Sequence, residues 1–229
     1  MEAIVKKAAI LALTMLALPA MAQDQRVSLV FDQTKHEDTT FTTGGSSANL
    51  SVDKTTAIGI RYGIAAAHFW NGALEFEGTI RPRSGEKDLK LNGTSASSST
   101  QSLQISDEYA ALGVGMRWAQ VVDFGFMFED RQEFTDFHLK DNTGFDYTQR
   151  TGVNRLWLRA NVGYTFQIQA PVKPFVNFSY GFALGKKGTD TGQLQALSAS
   201  SYSQNFVIDF YSRSVLPKSD LQFEAGIRF

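Results

Sequence analysis

Three histidines, His36, His68 and His138, are the only side chains in this 229-residue chain that ordinarily titrate near neutral pH, because it contains no cysteine. Two of them stand beside carboxylates: His36 precedes Glu37 and Asp38, and His138 follows Asp136 by two positions. An imidazole next to a carboxylate can relay a proton, and with a hydroxyl it can drive acyl transfer. The same donors can hold a divalent cation. Neither spacing is specific, however, and the chain has no nucleophile-elbow glycine motif, phosphate-cradling loop or His-x-Ser pair. Both histidines fall in polar connecting segments, the first and the third, that would meet at one rim. A solvated side chain is the plainer expectation for each, so no catalytic, cofactor or metal site is assigned and the chain reads as a non-enzyme. His68, between Ala67 and Phe69-Trp70 in a short turn, reads as interfacial.

The other residues with chemical potential are charges, and their spacing is regular. Arg61 sits among Ile58, Ile60, Tyr62 and Ile64, while Glu75, Glu77 and Arg81 alternate with Leu74, Phe76 and Ile80. Arg117 opposes Leu112, Val114, Met116 and Trp118, and Asp123 and Glu129 oppose Val122, Phe124, Phe126 and Phe128. Arg155 and Arg159 oppose Leu156, Leu158, Ala160, Val162, Tyr164, Phe166 and Ile168, and Glu224 and Arg228 oppose Leu221, Phe223, Ala225, Ile227 and Phe229. A period of two is a strand signal, with one apolar and one polar face. With Val27, Leu29 and Phe31 near the start, and Val176 to Leu184 alternating with Asn177, Ser179, Gly181, Ala183 and Gly185, eight strands follow. The fold class is all-β.

The connections alternate in length. Short segments lie at residues 66–71, 119–121 and 169–173. Long polar segments run over 35–53, 84–106, 132–152 and 186–219, two of them serine-rich (95–102 and 198–203). Short turns at one end and long loops at the other predict an up-and-down antiparallel barrel of bacterial outer-membrane type. With an even strand count both termini would face the periplasm and the long loops the exterior. A ten-strand barrel is the alternative, because Phe206, Ile208 and Phe210 alternate within the last long segment.

Alternation alone does not say which face points inward. A membrane barrel turns its apolar face to hydrocarbon, and its narrow eight-strand lumen is filled by side chains. The eleven charges above would share that lumen only by neutralising one another, which predicts an internal ion-pair network. The competing arrangement, a soluble lipocalin-like barrel or sandwich, would place them outside. Aromatic residues grouped beside the short turns (Tyr62, Phe69, Trp70, Trp118, Tyr164 and Phe166) favour the membrane form, because barrels carry such girdles at the interface.

The N-terminus fits that route. Lys6 and Lys7 precede an apolar run from Ala8 to Leu18, then Pro19 and Ala20-Met21-Ala22. This is the pattern of a secretory signal peptide, too short to span a bilayer, with cleavage expected after Ala22 and a barrel domain over 23–229. A net charge of −1 and a pI near 6.3 supply no basic field for nucleic acid.

The final stretch, Leu221-Gln222-Phe223-Glu224-Ala225-Gly226-Ile227-Arg228-Phe229, resembles the β-signal of outer-membrane proteins. In strand pattern, loop alternation and terminal phenylalanine, the chain from Gln23 onward resembles the small OmpA/OmpX-like barrel superfamily. The resemblance implies Sec export, insertion by the barrel-assembly machinery, and residence in the outer membrane of a Gram-negative-type bacterium. It also implies contact with outer-membrane lipid and lipopolysaccharide, and no cofactor. Three roles fit: a non-enzymatic barrel whose loops stabilise the envelope, adhere or recognise a ligand; a narrow pore; or a lipid-modifying enzyme.

Overall fold

The computed structural model describes residues 24–43, 46–95, 97, 101–119, 122–141, 146–185 and 215–229. The expected signal peptide, the Gly44-Gly45 pair, most of the first serine tract and the Phe206–Phe210 alternation lie outside the described residues.

Twelve strands account for nearly all of the described chain. They are β1 (Gln25–His36), β2 (Thr39–Thr43), β3 (Ser46–Val52), β4 (Thr55–Phe69), β5 (Gly72–Arg81) and β6 (Lys87–Leu91), followed by β7 (Thr94–Ser95), β8 (Gln101–Ala119), β9 (Asp123–Asp141), β10 (Asp146–Thr165), β11 (Lys173–Leu184) and β12 (Pro217–Arg228). Eight of them, β1, β4, β5 and β8–β12, pair antiparallel with their neighbours in chain order. The first and last strands also pair, from Arg26 opposite Arg228 to His36 opposite Pro217. The chain is a closed eight-stranded barrel. Because β11 pairs directly with β12, from Lys173 opposite Arg228 to Phe182 opposite Ser219, the ring has no place for the two further strands of the ten-strand alternative.

The long connections are less loop-like than their polarity predicts. β9 continues to Asp141 and β10 begins at Asp146, so most of the segment expected as a loop over 132–152 is a tall hairpin. The 35–53 and 84–106 segments contribute β2, β3, β6 and β7, which form a second small sheet joined to the barrel through β6 and β8 (Lys87 opposite Ile105, Asp88 opposite Gln104). The tight turn joining β6 to β7 is Asn92-Gly93, with φ of 51° and 80°. Two successive positive φ values match the right-handed twist of a hairpin, and Asn and Gly tolerate them best. At the opposite end, Trp70 closes the β4–β5 hairpin at φ 45° and is fully exposed.

The distribution of side chains is inverted relative to a water-soluble barrel. Among the described residues, the buried ones are 29 polar or charged and 16 apolar, whereas 27 large apolar side chains are exposed, which is far beyond the scattered apolar exposure of a soluble surface. Ile58, Phe31, Phe223 and Phe178 lie in one cross-strand row on the outside of four adjacent strands. From Leu156 to Tyr164 the chain climbs roughly 27 Å at about 3.4 Å per residue. At a tilt of about 40° that covers roughly 20 Å, close to the apolar band of ~25 Å that spans an outer membrane.

Candidate functional site

Each strand's inward positions carry the polar residues, so barrel closure brings together side chains from remote parts of the chain. Nearest the short turns, Arg117 reaches Asp24 at 2.8 Å and pairs with Glu75, and Arg26 meets Glu75 at 3.2 Å and pairs with Glu77. Arg228 lies 3.3 Å from Asp24 and 3.5 Å from Asp123, whose carboxylate also accepts a 2.7 Å hydrogen bond from Thr165. Arg26 and Arg228 also face the inward ring of Phe175.

At mid-height Arg61 is wholly buried and donates to Glu224 at 2.9 Å, Gln222 at 2.6 Å and Thr79 at 2.9 Å. Glu224 accepts from Ser28 at 2.5 Å and Asn177 at 3.1 Å. Arg159 donates to Glu129 at 2.7 Å and pairs with Glu77 across the lumen. Higher up, Arg131 donates to Asp220 at 2.5 Å and Glu129 at 2.7 Å and stacks on Tyr109 and Trp157, with its guanidinium 4.6 Å and 4.0 Å from the ring centres. Arg81 pairs with Asp107, and Arg155 donates to Glu133 at 2.6–2.8 Å.

All eleven charges expected in the lumen are therefore on the inner face, with Arg155 and Arg228 half-buried at its two ends. The sequence reading missed a second inward set: Arg26, Asp32, Asp107, Arg131, Glu133, Asp220 and Gln222. Their signal was present, since Arg26, Ser28 and Asp32 alternate with Val27, Leu29 and Phe31, with the inward Val30 as the one apolar interruption. Arg131 and Glu133 continue the Asp123–Glu129 series past the point where the strand was expected to end.

Among the described residues every buried side chain with a permanent positive charge is an arginine, never a lysine. The planar guanidinium, with five donors and weak hydration, suits a dry cavity where each charge must be met by several acceptors. Small residues make the space for them. A Cβ on Gly63 would lie 2.6 Å from Arg26 Nε, and one on Gly181 would lie 2.4 Å from Asp220 Oδ1, the other oxygen of which accepts from Arg131. Gly185 has open space around it and a φ of 120°, so its glycine serves the backbone. Toward the long-loop end the charges give way to buried apolar side chains, Leu50, Leu89, Ile105, Phe137, Val215 and Leu216, which sit on the segments beyond the apolar belt.

The histidines do not converge as expected. His36 ends β1 rather than lying in a loop, and it points inward with 1% exposure. Neither of its ring nitrogens is hydrogen-bonded to a described residue. His138 lies within the β9 extension on the outward face, between Glu86 (Nδ1, 2.5 Å) and Arg83 (Nε2, 3.1 Å). Period-two geometry sends the two imidazoles to opposite faces of the barrel wall. Ser106, across from Asp136 in the neighbouring strand, accepts a 2.6 Å bond from Arg83 Nε, so its hydroxyl is engaged by arginine and not by an imidazole. On the external sheet, Asp88 of β6 is held below the ordinary carboxylate range, first by the side-chain amide of Gln104 at 3.0 Å and then by Ser95 at 3.1 Å.

The aromatic residues expected as a girdle surround the short-turn end. Trp118 stacks on Phe124 at 5.5 Å and meets Phe69 edge-on at 6.4 Å, and Tyr164 meets Phe166 at 5.1 Å. Tyr62 donates to Gln25 at 2.8 Å.

The chain is similar to solved outer-membrane barrels. The attachment invasion locus protein Ail of Yersinia pestis shares 10% identity over 91% of this chain and 100% of that one, with a TM-score of 0.45. A major outer membrane protein from Thermus thermophilus shares 11% over 90% and 98%, with a TM-score of 0.49. The outer membrane protease OmpT of Escherichia coli shares 10% over 90% and 95%, with a TM-score of 0.47. No protein-family model and no curated protein matches the chain. At this distance no role passes from those proteins to this one, and the architecture rests on the strand pairing itself.

Proposed function

We propose that this chain is a small outer-membrane β-barrel with a sealed lumen, which holds a rigid external sheet as its recognition surface and catalyses no reaction. One observation carries the reading: the apolar face is turned outward as a continuous belt while the inner face is filled with mutually paired charges. Lipid supplies surroundings in which both halves of that arrangement are stable, because hydrocarbon accepts the belt and the lumenal charges are met by one another. Export by Sec, insertion by the barrel-assembly machinery and contact with lipopolysaccharide follow from that location.

The external sheet, β2-β3-β6 continuing into the upper parts of β8, β9 and β10, is built of paired strands. A surface of that kind recognises partners with little ordering cost. The lumen is packed with arginine–carboxylate pairs and topped by apolar residues, which speaks against a conducting pore.

The detergent-solubilised protein is expected to migrate faster unheated than boiled and to fractionate with the outer membrane, and in planar bilayers it should give no steady open-channel current. Recovery in the soluble periplasmic fraction would remove the membrane reading, and large steady currents would replace the sealed barrel with a pore.

A further inference from the structure

We infer that the tip of the external sheet modifies itself: the backbone nitrogen of Gly93 attacks the side-chain amide of Asn92, which loses ammonia and passes through a succinimide to isoaspartate. The chain holds two Asn-Gly pairs, Asn71-Gly72 in the β4–β5 turn and Asn92-Gly93 in the β6–β7 turn. Glycine at the second position leaves the attacking nitrogen unshielded, because it has no Cβ. The two turns differ in how firmly that nitrogen is held. Gly72 is buried as the first residue of β5, opposite both Phe69 and Trp118, and a Cβ there would lie 2.9 Å from the Phe69 ring. The hairpin it closes is paired from Phe69 opposite Gly72 to Ile60 opposite Ile80, so freeing its nitrogen disturbs the end of a long ladder. Gly93 is exposed at φ 80°, outside both strands, and a Cβ built on it would meet nothing within 4 Å.

Asn92 is anchored on one side of the bond that must turn and loose on the other. Its N–H donates to the carbonyl of Asn49 at 2.7 Å, and its side-chain Oδ1 accepts from the N–H of Asn49 at 2.7 Å. The second bond fixes the carbonyl under attack and draws charge onto its oxygen, as a backbone donor does for a developing oxyanion. Beyond the turn, β7 is two exposed residues, joined to β6 by Leu91 opposite Thr94, Lys90 opposite Ser95 and a 3.1 Å side-chain bond from Ser95 to Asp88. So short an arm opens locally at small cost. Rotation about the Cα–C bond of Asn92 then swings the Gly93 nitrogen toward Cγ while Asn49 keeps the amide in place. The nitrogen yields its proton to solvent base and bonds to Cγ, and the Cγ–NH2 bond breaks to release ammonia. Water opens the ring at either carbonyl, giving isoaspartate where the original peptide bond is cleaved and aspartate where the new bond is. Either product puts a carboxylate in the turn, and isoaspartate adds a backbone carbon where two successive positive φ values are needed, so the sheet tip changes as the molecule ages.

The test is peptide mapping of the purified barrel after incubation at mildly alkaline pH, with enzymatic methylation of isoaspartyl carboxylates to tell isoaspartate from aspartate. Asn92 is expected to convert at least about ten-fold faster than Asn71, because the short exposed hairpin opens more readily than the long one. Isoaspartate should be among the products, and the rate should rise with pH because the attacking nitrogen must lose its proton. Asn49→Pro takes away the N–H that meets Oδ1 and should slow conversion at Asn92 roughly ten-fold, below the range for a donor in a sequestered site, with heat-modifiable migration unchanged. Equal conversion at the two turns, or faster conversion at Asn71, would overturn the inference, as would aspartate at position 92 with no isoaspartate, the mark of direct hydrolysis. Undiminished conversion in an Asn49→Pro barrel that keeps its migration would overturn it too. If that variant fails to fold, the comparison of the two turns in the parent chain decides alone.

Discussion

Replacing Arg61 with alanine is expected to destabilise the barrel by about 3–5 kcal/mol, the range for removing one partner of a buried ion pair. Arg61 has no solvent exposure and holds Glu224, Gln222 and Thr79 at once. Its loss strands a carboxylate that, among the described residues, retains the hydroxyl of Ser28 and the amide of Asn177 as hydrogen-bond partners. Removing the charge of Glu224 as well should return part of the loss, because the stranded anion and not the missing attraction carries most of the cost. Equilibrium urea unfolding in lipid vesicles, run as a double-mutant cycle of Arg61→Ala and Glu224→Gln, reads both quantities. A single-variant cost under about 1 kcal/mol, the range of solvated pairs, would show that the lumen is hydrated rather than packed.

The second large effect belongs to the outer face. Phe126→Arg, between Phe124 and Phe128 in the belt, should cost about 2–4 kcal/mol in vesicles, whereas Gln33→Arg at the belt's upper edge should cost about 0–1 kcal/mol. The difference reflects depth, because a guanidinium at the rim reaches headgroups and one at mid-belt must drag water or lipid phosphate inward. A protein whose belt faced water would tolerate the two substitutions equally, since both positions lie at the barrel's surface. Unfolding in vesicles of matched thickness measures the contrast directly.

Much of this architecture was legible in the chain because a barrel wall obeys a period of two. Wherever apolar residues alternated with charges over six or more positions, as at Ile58–Ile64 or Leu156–Tyr164, both the strand and its inward set could be read, although the run expected to continue to Ile168 leaves the strand after Thr165. Legibility failed where strands leave the apolar belt. Beyond Glu129 the outward face of β9 changes from Phe124, Phe126 and Phe128 to Asp130 and Gln132, so the alternation of hydrophobicity disappears while the pairing continues to Asp141. The same loss of contrast hid β2, β3 and β6, although Asn92-Gly93 is a local hairpin signal that needed no hydrophobic pattern. The placement of His36 depended on how far β1 extends. A few more residues of alternation move the imidazole from a solvated loop to the interior.

The chain's lack of cysteine makes the central claim, apolar face in lipid and charged face inside, open to a direct test. Single cysteines placed at Ile60, Phe126 and Phe178 on the outer face, and at the exposed turn residue Asn71 as the aqueous control, can each carry a bimane fluorophore in vesicles with and without brominated acyl chains. The three outer positions should resist a membrane-impermeant maleimide and be strongly quenched by the brominated lipid, while position 71 escapes quenching. Ready maleimide labelling of the outer positions with no lipid quenching would contradict it.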